Sequence, residues 1–294
     1  MTSEPAQSVE SHRAEIEQGQ RFEFGKNWAQ FLSKLNADRI SAACKSLQVK
    51  LEIESLADKT FLDIGSGSGL FSLAARKLGA RVHSFDYDPH SVNCTLELKR
   101  RFFPNSTEWK VEHGSALDEQ YLSSLGKFDV VYSWGVLHHT GAMWQALANI
   151  VPLVGADGQL FVAIYNDMGS RSLRWRKIKQ IYNNLPQILR HPFAFLAMAP
   201  SELRTAANAA LHFKLLDYFD LWFQTDQTRG MNRWNDIVDW VGGYPYEYAA
   251  PEEIFSFYKA RGFNLTNLRC KGVGLGCNEF VFRRNAVVLN TESV

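Results

Sequence analysis

The stretch "TFLDIGSGSG", residues 60–69, decides the fold. An apolar run ends in Asp63 and passes at once into Gly65-x-Gly67-x-Gly69, and "LFSLAARKLG" (70–79) then places Leu, Phe and Ala on one helical face. A strand, a bare turn and a helix in succession let peptide groups approach a ligand closely. Glycine has no Cβ to hold the ligand off and tolerates dihedrals closed to other residues. In open parallel sheets, ligands lie beyond the carboxyl ends of the strands, where this turn falls.

Outward from the turn, the alternation continues. "RVHSFDYD" (81–88), "EWKVEHGS" (108–115), "FDVVYSWG" (128–135) and "QLFVAIYND" (159–167) read as strands. Between them lie the helical stretches "HSVNCTLELKRRF" (90–102) and "MWQALANIVPLV" (143–154), the second closed by the turn "GADG". This rhythm predicts a parallel sheet covered by helices on both faces. Residues 168–248 interrupt it with helical runs broken by Pro186, Pro192 and Pro200, and with no convincing strand. It resumes in "PEEIFSFYKARG" (251–262), a helix with proline near its start and two early glutamates. "FNLTNLRC" (263–270) and "NEFVFRR" (278–284) flank the glycine-rich "KGVGLG", so they read as a hairpin with an antiparallel last strand. The expected organisation is a disordered N-terminus (1–20), N-terminal helices (21–59), a core (60–167), a helical lid (168–250), the end of the core (251–285) and a tail (286–294).

The spacing of the glycines narrows the ligand. A phosphate-binding loop would close on Lys-Ser/Thr, which is absent, and Leu70 stands where a dinucleotide fingerprint needs its third glycine. Asp86 ends the second strand and can accept both hydroxyls of a ribose. Asp88, two residues on, is the rival for that role.

Taken in order, "LDIGSGSG" (62–69), "FDYDP" (85–89), "HGSALD" (113–118), "FDVVYSWGVLHH" (128–139) and "LVGADGQLFV" (153–162) resemble the class I S-adenosylmethionine-dependent methyltransferases. The resemblance implies a Rossmann-like α/β fold with a seven-stranded sheet of order 3-2-1-4-5-7-6, strand seven antiparallel, and a large helical lid inserted after strand five. It implies S-adenosyl-L-methionine as cofactor, with the N-terminal helices (21–59) over its site. Asp63, Gly65, Gly67 and Gly69 would surround its methionine part, with Ser66 in the same turn. Asp86 would hold the ribose beside Tyr87, and Ser115 and Ala116 would flank the adenine. Many members carry an acid where Ser115 stands. Trp134 is a candidate wall of the cofactor, or else ordinary core.

"SWGVLHHTGAMW" follows strand four, whose carboxyl end faces the transferring methyl in this fold. An imidazole near neutral pKa suits a general base for a hydroxyl or amine nucleophile, so His139 and then His138 are the catalytic candidates. The alternative is that the pair caps the following helix or supports the cofactor loop. No cluster of further ligands accompanies them, so no metal is expected.

Strand five leads through Tyr165 and Asn166 into the lid. There, "RSLRWRKIK" is either a solvated helix face or a source of an anion clamp through Arg171. "TRGMNRWNDIVDWVGGYPYEYA" (228–249) is polar, aromatic and glycine-punctuated, which suits a pocket wall and nominates Arg229, Trp234, Asp236, Tyr244 and Tyr246. A formal net charge of +1 argues against general attraction to nucleic acid. Four cysteines without CxxC pairing read as free thiols in a reducing compartment. The start has no apolar leader, and "PFAFLAMAP" is too short to span a bilayer, so the expectation is a soluble, cytoplasmic protein. The expected function is methyl transfer to O, N or S of a small-molecule metabolite under the lid. Its rivals are RNA, protein or lipid methylation, or a non-catalytic adenosyl-ligand binder. Oligomeric state is open, with a homodimer one option.

Overall fold

The computed structural model describes residues 4–25, 32, 35–223, 233–272 and 276–285. Five parallel strands, β1 (Thr60–Ile64), β2 (Arg81–Asp86), β3 (Trp109–His113), β4 (Phe128–Trp134) and β5 (Val154–Tyr165), form a sheet with the hairpin β6 (Phe263–Arg269) and β7 (Cys277–Arg284). The order is β3-β2-β1-β4-β5-β7-β6, and β7 is antiparallel to both neighbours, as the resemblance implied.

Strand alternation divides the core in two. Phe61 on β1, Tyr132 on β4 and Phe161 on β5 point to the face covered by α2 (Ala37–Leu51), α3 (Leu70–Lys77) and α4 (Pro89–Phe102), where they pack with Leu47, Leu73 and Leu98. Leu62, Val131 and Leu160 point the other way, onto α5 (Glu119–Ser124), α6 (Met143–Asn149) and α11 (Pro251–Lys259), represented by Leu122, Leu147 and Ile254.

The structure departs from the expected elements at three places. Residues 4–17 form helix α1 (Glu4–Glu17) where a disordered start was expected. The predicted helix over 143–154 stops at Asn149, and a 3₁₀ turn, Val151–Leu153, follows around Pro152, which has no N–H to continue the helical ladder. The "GADG" turn lies inside β5 and does not precede it. Phe128 pairs with Val154 but Val130 pairs with Gln159, so extra residues loop out as a bulge, with Asp157 in the left-handed region at φ +57°.

Between β5 and α11 the chain builds α7 (Ser170–Asn184), α8 (Gln187–Leu211), α9 (Leu215–Phe223) and α10 (Arg233–Gly242). This insertion has its own small core of Trp175, Tyr182, Ala194, Ile237, Val241 and Tyr246. Among the described residues, no helix is long and apolar enough to cross a membrane, and no group of three or more His, Cys, Asp or Glu side chains could hold a metal ion. No disulfide joins the four cysteines.

Candidate active site

The glycine turn is pinned at both ends. The N–H groups of Gly65 and Ser66 donate to the Phe85 carbonyl at 2.9 and 3.1 Å, tying the end of β1 to β2. Gly65 adopts φ +75°, and a Cβ there would lie 2.4 Å from both methyl carbons of Val136. Gly69, at φ +78°, caps α3, and its missing Cβ would lie 2.8 Å from the Thr95 hydroxyl. The Ser66 hydroxyl is 2.9 Å from that of Thr95, so this side chain braces the turn against α4. Asp63, expected around the ligand, is turned into the interior. Its carboxylate accepts from Ser72 Oγ at 2.5 Å, and a chain of hydroxyls runs on through Ser84 to the Trp109 indole. Burial raises its pKa to about 6, and Ser72 opposes the shift.

Asp86 sits at the mouth of the turn. Oδ2 accepts from the Gly67 N–H at 2.8 Å and Oδ1 from the Asp88 N–H at 2.9 Å, and each oxygen keeps a second lone pair. Burial pushes its pKa up to about 7 against these two bonds, with Asp88 and Asp63 adding to the rise. Asp88 has a different task. It caps α4 through the His90 N–H and receives the Gly25 N–H, both at 2.8 Å. Ser115 Oγ accepts the Leu117 N–H at 3.1 Å, and the carbonyl of buried Ala116 accepts from Asn149 at 3.2 Å, giving a fixed turn beyond β3.

The N-terminal segment closes over this mouth. The Tyr87 hydroxyl donates to Glu15 at 3.0 Å, and the Arg21 guanidinium lies 4.8 Å above the Tyr87 ring. Arg21 also pairs with Glu15 at 2.6 Å and donates to the His139 carbonyl at 3.0 Å. Residues 15–25 thus span from Tyr87, beside Asp86, to the loop after β4. The sequence located this cover in residues 21–59, but α2 lies on the sheet face instead, because its apolar stripe (Ile40, Ala43, Leu47, Leu51) belongs to the main core. Trp134 is turned toward that same face: its indole N–H donates to Glu279 of β7 at 2.9 Å, and Glu279 also pairs with Lys50 of α2.

His138 and His139 lie in a 3₁₀ turn, Leu137–His139, and both are buried. His139 Nδ1 is 2.6 Å from the Pro245 carbonyl. A carbonyl only accepts, so Nδ1 carries the proton and Nε2 the lone pair. Burial lowers the His139 pKa to about 3, with the Lys179 charge next in effect, and holds His138 well below its ordinary value, with His139 and Lys179 contributing. The Ala163 backbone opposes the lowering at His138. Its ring packs 3.9 Å from that of Tyr165.

The insertion roofs the pair. Tyr165 touches His138, His139, Trp240 and Tyr246. Lys179, fully buried, donates to the Trp240 carbonyl near the end of α10, with Nζ 4.3 Å from the Trp240 ring and 4.9 Å from the Tyr246 ring. Burial draws its pKa down to about 7, opposed by Asp239, and pushes the Tyr246 hydroxyl up to about 12. The basic run containing Lys179 was expected to face solvent or to clamp an anion. Arg171, Arg174, Arg176 and Lys177 are indeed exposed, while Lys179 falls on the inward stripe with Trp175 and Tyr182. That spacing was readable in the sequence and is the signal that would have found it.

Other substrate candidates are brought elsewhere. Asn166 bridges β5, the β6–β7 turn and the end of the lid, bonding Gly272 and Asn278 and pairing with Ala249, which is a structural role. Trp234 stacks on His191 at 5.8 Å, and Tyr244 accepts from Gln180 at 3.1 Å and binds Phe22 through its carbonyl. Asp236 stands in the first turn of α10, where an acid suits the helix dipole. Arg229 lies outside the described residues. Glu247, not anticipated, caps α6 by accepting the Met143 N–H at 3.0 and 3.1 Å.

A seven-stranded sheet of this order, a glycine turn at the first crossover and a carboxylate ending the second strand define one class of protein. Residues 62–160 match the family described as "Methyltransferase domain", and the sheet has the class I methyltransferase fold. The ribosomal protein L11 methyltransferase of Prochlorococcus marinus (strain MIT 9515) is 40% identical over 83 residues, 28% of each chain. The ubiquinone biosynthesis O-methyltransferase of Aromatoleum aromaticum is 29% identical over 111 residues, 38% of this chain and 46% of that one. These matches therefore span less than half of the relatives' length. An O-methyltransferase family protein from Burkholderia thailandensis shares the fold, with TM-score 0.50, 13% identity, and coverage of 84% of this chain and 57% of that one.

S-adenosylmethionine is the cofactor of this class. The residues present fit it: Asp86 offers two lone pairs to a diol, and any side chain at Gly65 would close the turn. Asp86→Ala should weaken binding of S-adenosylhomocysteine by about 1.5–3 kcal/mol, the worth of charge-assisted hydrogen bonds. Since Asp86 must be ionised to accept both hydroxyls, wild-type affinity should fall as pH drops below about 7, and the variant should lack that dependence. Titration calorimetry between mildly acidic and alkaline pH checks both; unchanged affinity in the folded variant would refute the assignment.

Proposed function

We propose that the protein transfers a methyl group to O, N or S of a small molecule held between the loop after β4 and the helical insertion. The observation that carries this reading is the roof over the histidine pair. Tyr165, at the end of β5, packs on His138 and His139 and is itself covered by Trp240 and Tyr246 of the insertion, with Lys179 against both of those rings, while Arg21 fastens the N-terminal segment to the same loop. A site walled on two sides by separate parts of the chain suits an enclosed substrate better than a polymer. Of the exposed basic residues of α7, the candidate footprint of RNA or an acidic protein, Arg174 and Lys177 are on the helix face opposite Lys179.

The cofactor supplies an activated electrophile, a methyl on a sulfonium. The chain has to position a nucleophile, exclude water and manage one proton. His139, fixed in the Nδ1–H tautomer by Pro245, can present Nε2 as a hydrogen-bond acceptor to that nucleophile. With its pKa near 3 it orients the proton and is a poor store for it. His139→Ala is expected to lower turnover by about 10²-fold or more while leaving S-adenosylhomocysteine affinity near wild type. Persistence of turnover in this variant and in His138→Ala would place proton acceptance elsewhere.

The reading is tested by incubating the protein and a cell extract with methyl-labelled S-adenosylmethionine and then fractionating. Label is expected among small molecules; label confined to protein or RNA would overturn it.

A further inference from the structure

The outer surface of the insertion is built the wrong way round for a helix that meets only water. On α8, Ile188, Leu189, Phe195, Leu196 and Leu203 are exposed, with Ile188 at 83%, Leu196 at 68% and Leu203 at 70%. At 3.6 residues per turn these five fall within an arc of about 120°. Ala194 and Met198 lie on the opposite side, against the small core of the insertion. The stripe continues past the helix end through Leu211 (77% exposed) and Phe213 (98%), then Leu216 on α9. Neighbouring α7 adds Leu173 and Ile181, both at least half exposed, and sets them among exposed Arg174 and Lys177. Single exposed apolar residues are ordinary, but a contiguous stripe over three helices marks an interaction surface.

Charge selects the partner. From residue 168 to 223 the insertion carries eight Lys and Arg against three Asp and Glu, while the whole chain is nearly neutral at +1. A second copy would bring the same excess of cations against itself. An anionic bilayer complements both features, taking the apolar side chains into the acyl boundary and the arginines and lysines among its headgroups. None of these helices is both long and apolar enough to cross, so they lie along the surface.

We propose that the outer face of α7, α8 and the start of α9 docks the protein on the surface of an anionic lipid bilayer. This stands independently of the methyl-transfer reading, because it uses no residue of the cofactor or histidine sites.

The test is co-sedimentation of the full chain with vesicles of phosphatidylcholine alone and of phosphatidylcholine mixed with phosphatidylglycerol. Binding to the mixed vesicles is expected, at least about tenfold above the zwitterionic ones and weakened by salt. Leu196→Asp with Leu203→Asp should abolish it, and Arg174→Glu with Lys177→Glu should reduce it by about tenfold. All four sites are exposed, and circular dichroism melting checks that each variant folds. Absence of binding to anionic vesicles overturns the proposal, as does binding that both variant pairs leave unchanged. A dimer in sedimentation velocity that the Leu196→Asp, Leu203→Asp pair dissociates, without vesicle binding, assigns the face to a second copy and overturns it too.

Discussion

Gly65→Ala is expected to cost the fold about 2–5 kcal/mol and to abolish S-adenosylhomocysteine binding. Two independent terms add. A Cβ on a residue at φ +75° meets its own backbone, at about 1–2 kcal/mol. It also comes within 2.4 Å of Cγ1 and Cγ2 and 2.8 Å of Cβ of Val136, and overpacking of this kind costs about 1–3 kcal/mol. Rotating Val136 can turn away only one of the two methyls and leaves its Cβ at 2.8 Å, so the turn or the loop after β4 has to move. Either movement disturbs the site, since the turn carries Gly67 on Asp86 and the loop carries the histidines. Gly126 provides the control, because it has φ +79° with nothing near its missing Cβ. Gly126→Ala should show only the backbone cost and keep ligand binding. Urea unfolding and calorimetry on both variants check this; equal losses would remove the steric argument.

Lys179→Met is expected to stabilise the protein near neutral pH, by an amount that shrinks as pH rises. The folded pKa of Lys179 is drawn from 10.5 to about 7 by burial. Between those values the unfolded chain holds more protons than the folded one, so wild-type stability climbs with pH across this window. Below about pH 7 lysine is charged in both states and the full desolvation cost is present, on the order of several kcal/mol. Methionine carries no proton and no such slope. Denaturation of both proteins at pH 6, 8 and 10 checks the sign; a difference constant across pH would show that the lysine is not the source. The same substitution removes a positive charge that depresses both histidines, so their imidazole resonances should titrate at higher pH in the variant.

The fold was legible to the extent that its signals are local. β1, its glycine turn and α3 occupy one continuous stretch, and the switch from period two to period 3.6 marks the boundary between them. Asp86 was legible for the same reason, since a strand end at a known distance from the turn has only one place to go. Misplaced boundaries have local causes that were underweighted, as with Pro152 ending α6 and the bulge inside β5.

The glycine turn and Asp86 stand together as their spacing in the sequence placed them, whereas the candidates around the insertion come together only in part. Tyr165 and Tyr246 do stand against the histidines, whereas Asn166 is spent on joining strand ends and Arg171 faces solvent. Lys179 looked like one more cation in a basic run until the inward stripe of α7 was known.

By itself, the sequence determined the order of strands and helices, the turn that leaves peptide bare, and the carboxylate beside it. These depend on spacing within a few residues, and backbone sterics and side-chain periodicity act at that range. Only the tertiary structure decided that Asp63 looks inward to Ser72, that Trp134 leans to Glu279, that Arg21 reaches the loop of His139, and that Lys179 is enclosed by Trp240 and Tyr246. Each joins segments distant along the chain. A side chain's partner there is set by which faces the packed core brings together, and no local pattern records that.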